Sequence, residues 1–74
     1  MTDRVCIATE YIKLDSLLKL SGIAQTGGHA KILIAEGEVS VNGVAETRRG
    51  RKIRPGDIVE YDGTKIEVAA DGES

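Results

Sequence analysis

The segment Glu38-Val39-Ser40-Val41-Asn42-Gly43-Val44 constrains the fold more than any other part of this chain. Val39 and Val41 alternate with polar Glu38 and Ser40, which is the period of a half-buried strand. Asn-Gly suits a two-residue type I′ hairpin turn, because both central residues of that turn take φ > 0. Val44 begins the return strand. An antiparallel hairpin therefore sits near the middle of the chain, and 74 residues must pack around it. That length accommodates one domain, 1–74, and no second core. With no Phe, no Trp and two Tyr, the core has to be built from Leu, Ile, Val and Ala. The 41% hydrophobic content suffices for a globular core and is too high for a disordered chain.

The elements on either side follow from periodicity and punctuation. Val5 to Ala8 is apolar and β-prone, and Tyr11 to Leu14 alternates weakly, so one or two short strands are expected there. Leu14, Leu17, Leu18 and Ile23 then adopt helical spacing, and Gly22 provides the stop. Thr26 is a good N-cap for a second helix, with Ala30, Leu33 and Ile34 as its buried face and Gly37 as its stop. After the hairpin, Pro55-Gly56 suits a type II turn. Ile58 to Tyr61 and Lys65 to Ala69 read as two further strands around Asp62-Gly63. Residues 71–74 read as a frayed tail. The expected fold class is α+β, with two helices packed on a small antiparallel sheet of short strands.

The net charge of −2 hides a strong polarity. Lys13 to Arg54 holds eight basic and four acidic residues, a net +4; Pro55 to Ser74 holds one Lys and six acids, a net −5. Screening at physiological salt acts over about 8 Å, so a basic stripe works locally despite distant acids. Five of the seven residues from Arg48 to Arg54 are cationic: Arg48, Arg49, Arg51, Lys52 and Arg54. Arginine forks match phosphate oxygens bidentately. Most charge runs are solvated surface, but this one has its acids elsewhere in the sequence and reads as a phosphate-binding segment without local partners.

Thr26-Gly27-Gly28-His29 and Lys31 form a second candidate. A helix N-terminus presents free N–H groups and a positive dipole end, and glycines there let an anion approach. The same glycines also fit close packing of this helix against its neighbour, and the sequence leaves the two readings open. His29 on its own is weaker, since a lone histidine is more often a surface or structural residue.

Other chemistries find no support. Cys6 cannot form an internal disulfide, has no recognisable base beside it, and reads as a packed core thiol. The G-x-x-x-x-G-K-[ST] and G-x-G-x-x-G spacings are absent. One histidine and one cysteine far apart make no zinc site. No cofactor, metal or catalytic residue is expected. No apolar run is long enough for a membrane span or a signal peptide, so the expected compartment is the cytoplasm.

Lys13-Leu14-Asp15, Leu18, Gly22, Thr26, Ala30-Lys31, Leu33, Gly37, Val39, Val41-Asn42-Gly43 and Gly56-Asp57 resemble the S-four-type (alpha-L) RNA-binding domain. The resemblance covers 13–61, and its specific part is the Gly-x-Val-x-Val-Asn-Gly stretch at its distance from Leu14-Asp15. Thr26-Gly27-Gly28 with Ala30-Lys31, and the Arg48-Arg49-Gly50-Arg51-Lys52 run, look like the free-standing bacterial members, usually described as RNA-binding or ribosome-associated. The resemblance implies a non-catalytic protein that contacts structured RNA, ribosomal or otherwise folded, through its phosphates. The implied RNA-binding residues are Lys13, Thr26, Gly27, Gly28, His29, Lys31, Arg48, Arg49, Arg51, Lys52 and Arg54. Two positions depart from the family. Its helix-one arginine is Lys13 here, which keeps the charge and loses the fork. Its usual arginine after the helix-two cap is Gly27. A monomer is expected, without a membrane partner. The rival reading is a protein-interaction module whose basic stripe docks an acidic partner.

Overall fold

The computed structural model describes residues 2–71 and contains seven strands and two helices. In chain order these are β1 (Thr2–Ile7), β2 (Ile12–Lys13), α1 (Leu14–Leu20), α2 (Gly27–Ala35) and β3 (Val39–Val41), followed by β4 (Val44–Ala45), β5 (Lys52–Ile53), β6 (Ile58–Tyr61) and β7 (Thr64–Ala70). Five strands form one sheet in the order β1-β7-β6-β3-β4, and β2 pairs with β5 in a separate two-stranded ribbon.

The central hairpin is as the sequence demands. Val41 pairs with Val44, and Asn42 and Gly43 sit at φ 52° and 85°, the left-handed pair of a type I′ turn. The Asn42 side chain ties the turn to the next strand. Its Oδ1 accepts from the Ile58 N–H at 3.0 Å, its Nδ2 donates to Asp57 Oδ1 at 3.1 Å, and its own N–H donates to the Ile58 carbonyl at 2.8 Å. Asp62-Gly63 makes a second tight turn between β6 and β7, with both residues at positive φ. At Pro55-Gly56 the Asp57 N–H closes onto the Arg54 carbonyl at 3.0 Å, with Gly56 at φ 98°, the geometry of a type II turn.

Both helices stop at the glycines expected to end them, Gly22 and Gly37. The α2 C-terminus has the Schellman pattern: Gly37 at φ 76°, its N–H on the Ile34 carbonyl at 3.0 Å, and the Glu38 N–H on the Leu33 carbonyl at 3.4 Å. The first helix is shorter than its apolar spacing implies. It stops at Leu20, so Ile23 lies beyond it and packs against the core from the connecting loop. Leu14, Leu17 and Leu18 of α1, the buried Ala30, Leu33 and Ile34 of α2, and the inward residues Val39, Val41, Val59, Ile66 and Val68 of the sheet form one cluster. Ile53, from the two-stranded ribbon, is fully buried in it as well.

The α+β arrangement of two helices on a sheet of short strands is the one expected, but the sheet is mixed. β1 runs parallel to β7, with Thr2 opposite Lys65 and Ile7 opposite Ala70. Parallel neighbours need a long crossover, and the rest of the domain supplies it. Alternation along β1 also corrects the reading of Cys6. Val5 and Ile7 face the core, so Cys6 between them points outward and is exposed. Asp71 is not frayed: its N–H donates to the Ile7 carbonyl at 2.6 Å. The rest of the expected tail, 72–74, lies outside the described residues.

Gly43 has open space where a Cβ would project, so only its φ restricts substitution. Gly43→Val is expected to destabilise the domain by about 1–3 kcal/mol, the usual scale for a β-branched residue forced to positive φ. In a thermal melt followed by circular dichroism, each kcal/mol corresponds to roughly 4–8 °C at this size. A wild-type melting temperature would rule out the type I′ turn.

Candidate nucleic-acid interface

The basic run is mounted on the fold at several points. Its origin is Glu46, whose N–H donates to the Val39 carbonyl at 2.9 Å and extends the central hairpin by one rung. The chain then turns at Arg48–Arg51, where the Arg51 N–H reaches the Arg48 carbonyl at 3.2 Å. Two carbonyls of this turn face the start of α1. The Leu14 N–H donates to the Arg51 carbonyl at 2.9 Å and the Asp15 N–H to the Arg49 carbonyl at 3.2 Å. A helix begins with N–H groups that lack partners in the helix itself. The residue preceding α1 is Lys13, whose side chain has no oxygen and makes no cap. The basic loop supplies the acceptors instead, and its backbone is fixed as a result.

Beyond the turn, Lys52 and Ile53 pair antiparallel with Lys13 and Ile12. This register sets Lys13 directly opposite Lys52, both exposed. Like charges facing across a strand pair are unfavourable, and among the described residues no acid forms an ion pair with either lysine. Lys52 Nζ lies over the Tyr11 ring, 5.0 Å from its centroid, a cation–π contact that steadies the cation without neutralising it. At the far end, the Arg54 N–H donates to Asp57 Oδ2 at 2.8 Å. Arg48, Gly50, Arg51, Lys52 and Arg54 line an open depression of about 450 Å³. Gly50 is unobstructed by neighbouring atoms, so the backbone there can be approached closely.

One feature of this loop differs from the sequence reading, which gave the cations no local partner. Glu46 is 8% exposed and receives Arg48 Nε at 2.8 Å and Arg51 Nη1 at 3.2 Å. The Arg48 hydrogen bond holds the Glu46 carboxyl below the usual carboxylate range, outweighing partial desolvation, and the Arg48 guanidinium is correspondingly held above its ordinary value. The Glu46 spacing, two and five residues before arginines, is the sequence signal that would have marked it. Arg49, Lys52 and Arg54 form no ion pair among the described residues.

The second candidate group sits on α2. Thr26 Oγ1 accepts from the His29 N–H at 3.0 Å, the N-cap bond expected of it. His29 Nδ1 in turn receives the Gln25 N–H at 3.4 Å. Close packing does not account for the glycines. A Cβ on Gly27 would meet nothing within 4 Å, and one on Gly28 would meet only Thr26 Oγ1 at 3.9 Å. The N–H groups of Gly27 and Gly28 find no acceptor among the described residues. Lys31 is exposed one turn further along. The structure thus gathers Lys13 with the Arg48–Arg54 run, and groups Thr26, Gly27, Gly28, His29 and Lys31 separately. No hydrogen bond or ion pair joins the two groups among the described residues.

Comparison with known proteins gives a consistent result. Bacillus subtilis (strain 168) RlbA, designated a ribosome maturation protein, is 46% identical over 63 residues, spanning 85% of this chain and 89% of that protein. Escherichia coli (strain K12) YbcJ, designated an RNA-binding protein, is 45% identical over 60 residues, spanning 81% and 86%. The solution structure of Escherichia coli YbcJ is described as revealing an alpha-L motif involved in RNA binding. It matches this fold with a TM-score of 0.67 at 40% identity, covering 93% of this chain and 86% of that one. The S4 domain matches residues 5–69, nearly the whole described fold, and the chain belongs to the S4 domain family.

Proposed function

We propose that this protein is a non-catalytic RNA-binding domain that grips the phosphate backbone of structured RNA, with ribosomal RNA the first candidate. The observation that carries the proposal is the rigidly mounted basic loop. Its cations gather beside Lys13, and among the described residues a single acid forms ion pairs with them. A fold that needed only stability would not set Lys13 opposite Lys52. An incoming phosphate relieves that repulsion. The designations of RlbA and YbcJ support RNA, and ribosomal RNA in particular, as the ligand.

In this reading, phosphate contacts fix position and orientation, and the shape of the folded RNA supplies recognition. Arg48, Arg49, Arg51, Lys52, Arg54 and Lys13 form the main contact surface. Thr26, Gly27, Gly28, His29 and Lys31 offer a second phosphate site at the start of α2. With Gly27 where the family usually has arginine, that site works through backbone N–H groups and not through a guanidinium fork. Two tyrosines in the whole chain leave no platform for stacking several bases. Among the described residues no group of His, Cys, Asp and Glu could hold a metal, and no helix is long and apolar enough to cross a membrane. The protein acts as a monomer in the cytoplasm, where folded RNA is found.

Binding should weaken steeply with salt. If about four to six phosphates are neutralised, the log–log slope of affinity against salt is roughly −3 to −5. Affinity that does not change between low and moderate salt would exclude an electrostatic grip. Pull-down from cell extract should recover ribonuclease-sensitive material. Recovery of an acidic protein that survives ribonuclease would favour a protein-docking role instead.

Arg49→Glu combined with Lys52→Glu reverses two exposed charges. Charge-assisted hydrogen bonds contribute about 1.5–3 kcal/mol each, so RNA affinity should fall by about tenfold or more. Surface changes of this kind shift stability by about 0.5 kcal/mol or less. Unchanged affinity in the folded double variant would move the interface elsewhere.

Gly28→Asp tests the α2 site. A carboxylate in the first turn favours the helix dipole by a few tenths of a kcal/mol up to about 1 kcal/mol, so the melting temperature should hold. The same carboxylate occupies the N–H groups and repels phosphate, so RNA affinity should drop. Wild-type affinity in this variant would remove α2 from the interface.

A further inference from the structure

Glu46 is an acid placed within a surface that attracts anions. Its backbone is fixed by the Val39 carbonyl, and Val39 is fully buried between the helices and the sheet. Its side chain is 10% exposed, and its two oxygens serve different arginines. Oε1 takes Arg48 Nε, and Oε2 takes Arg51 Nη1. A guanidinium carries five N–H donors, so each arginine keeps four after this bond. The Arg48 side chain is 74% exposed and that of Arg51 36%, which leaves the remaining donors accessible. The Arg51 N–H to Arg48 carbonyl bond closes the turn between them.

Resting on the RNA reading above, we propose that Glu46 is a positioning residue. Its carboxylate bridges Arg48 and Arg51 and presents their free donors together to the phosphodiester backbone. An acid here acts on RNA in two opposing ways. Its charge repels phosphate, and its geometry orders two long side chains before phosphate arrives, so less rotamer freedom is lost on binding. Glu46→Gln separates the two effects by sign. It raises the charge of the three-residue group from +1 to +2, so repulsion alone predicts tighter binding. Positioning predicts weaker binding. The geometry favours positioning, because both carboxylate oxygens are already engaged by cations at hydrogen-bond distance.

The test is titration of a fluorescein-labelled stem–loop RNA at low salt, where phosphate contacts alone sustain binding. Glu46→Gln should bind roughly three- to tenfold more weakly than wild type, as expected when ordered side chains are released. In an Arg48→Ala, Arg51→Ala background, Glu46→Gln should no longer weaken binding, since nothing remains to be held. A general loss of structure would weaken binding in both backgrounds and overturn the proposal. Equal or tighter binding by Glu46→Gln in the wild-type background would overturn it too. Should Glu46→Gln fail to fold, the wild-type protein supplies the second measurement. Side-chain NMR relaxation should find the Arg48 and Arg51 Nε–H groups more ordered than those of Arg49 and Arg54 in the free protein, and equal mobility would overturn the brace. Absence of wild-type binding to the RNA would overturn the RNA reading and this proposal with it.

Discussion

Two backbone hydrogen bonds, from the Leu14 and Asp15 N–H groups to the Arg51 and Arg49 carbonyls, join the fold to the proposed interface. α1 is a seven-residue helix with no side-chain cap at its start, and helices so short are not stable by themselves. Its three fully buried leucines hold it against the core, and the basic loop satisfies its first N–H groups. The dependence runs both ways. A loop with five cations would splay apart by self-repulsion if it hung free. Its carbonyls bonded to α1, its Ile53 buried and its Lys52–Ile53 segment paired with β2 hold the cations together.

Much of this was readable from the sequence wherever a local rule governed the outcome. Asn42-Gly43, Thr26, Gly22, Gly37 and Pro55-Gly56 each act through the φ value or the acceptor they supply to immediate neighbours, and each lies where its chemistry requires. The readings that differ depend on how the folded chain places each side chain, and the largest involves contacts distant in sequence. The parallel pairing of β1 and β7 joins the two ends of the chain, and no local signal distinguishes it from an antiparallel edge. The outward face of Cys6 follows from that pairing. Ile23 continues a helical spacing on paper, yet the turn at Gly22 removes it from the helix and leaves its apolar side chain in the core edge by another route. Within the candidate site, the run Arg48–Arg54 was legible as charge. The spacing of Glu46 to Arg48 and Arg51 hinted at a partner, but its inward turn, with the arginines left at the surface, comes from the hairpin's return. Lys13 opposite Lys52, and Tyr11 beneath Lys52, likewise arise only from the β2–β5 register.

The topology decides which cations meet an acid. Two acids of the last third of the chain lie on β6 and β7: Glu60 faces Lys65 across the ladder, and Glu67 approaches Arg4 of β1 at 4.0 Å. That last pair is long and exposed, and such pairs contribute little to stability. Its effect is on where charge sits. Arg4 is thus paired within the sheet, while Lys13, Arg49, Lys52 and Arg54 form no ion pair among the described residues.

The two helices illustrate how one physical rule yields two different outcomes. Each begins with N–H groups that need acceptors. At α1 the preceding residue is Lys13, and the demand is met from inside the protein by the basic loop. At α2 the preceding residue is Thr26, whose hydroxyl satisfies the His29 N–H and leaves those of Gly27 and Gly28 open to approach. A larger residue at either glycine would meet no clash with the fold, so packing does not explain them. They cost helix propensity relative to alanine, by about 1 kcal/mol in an interior and less at an end. A domain this small has little stability to spare. Two adjacent glycines at an exposed helix start are consistent with the proposed phosphate site, since a phosphate oxygen suits paired N–H groups at the positive end of a helix.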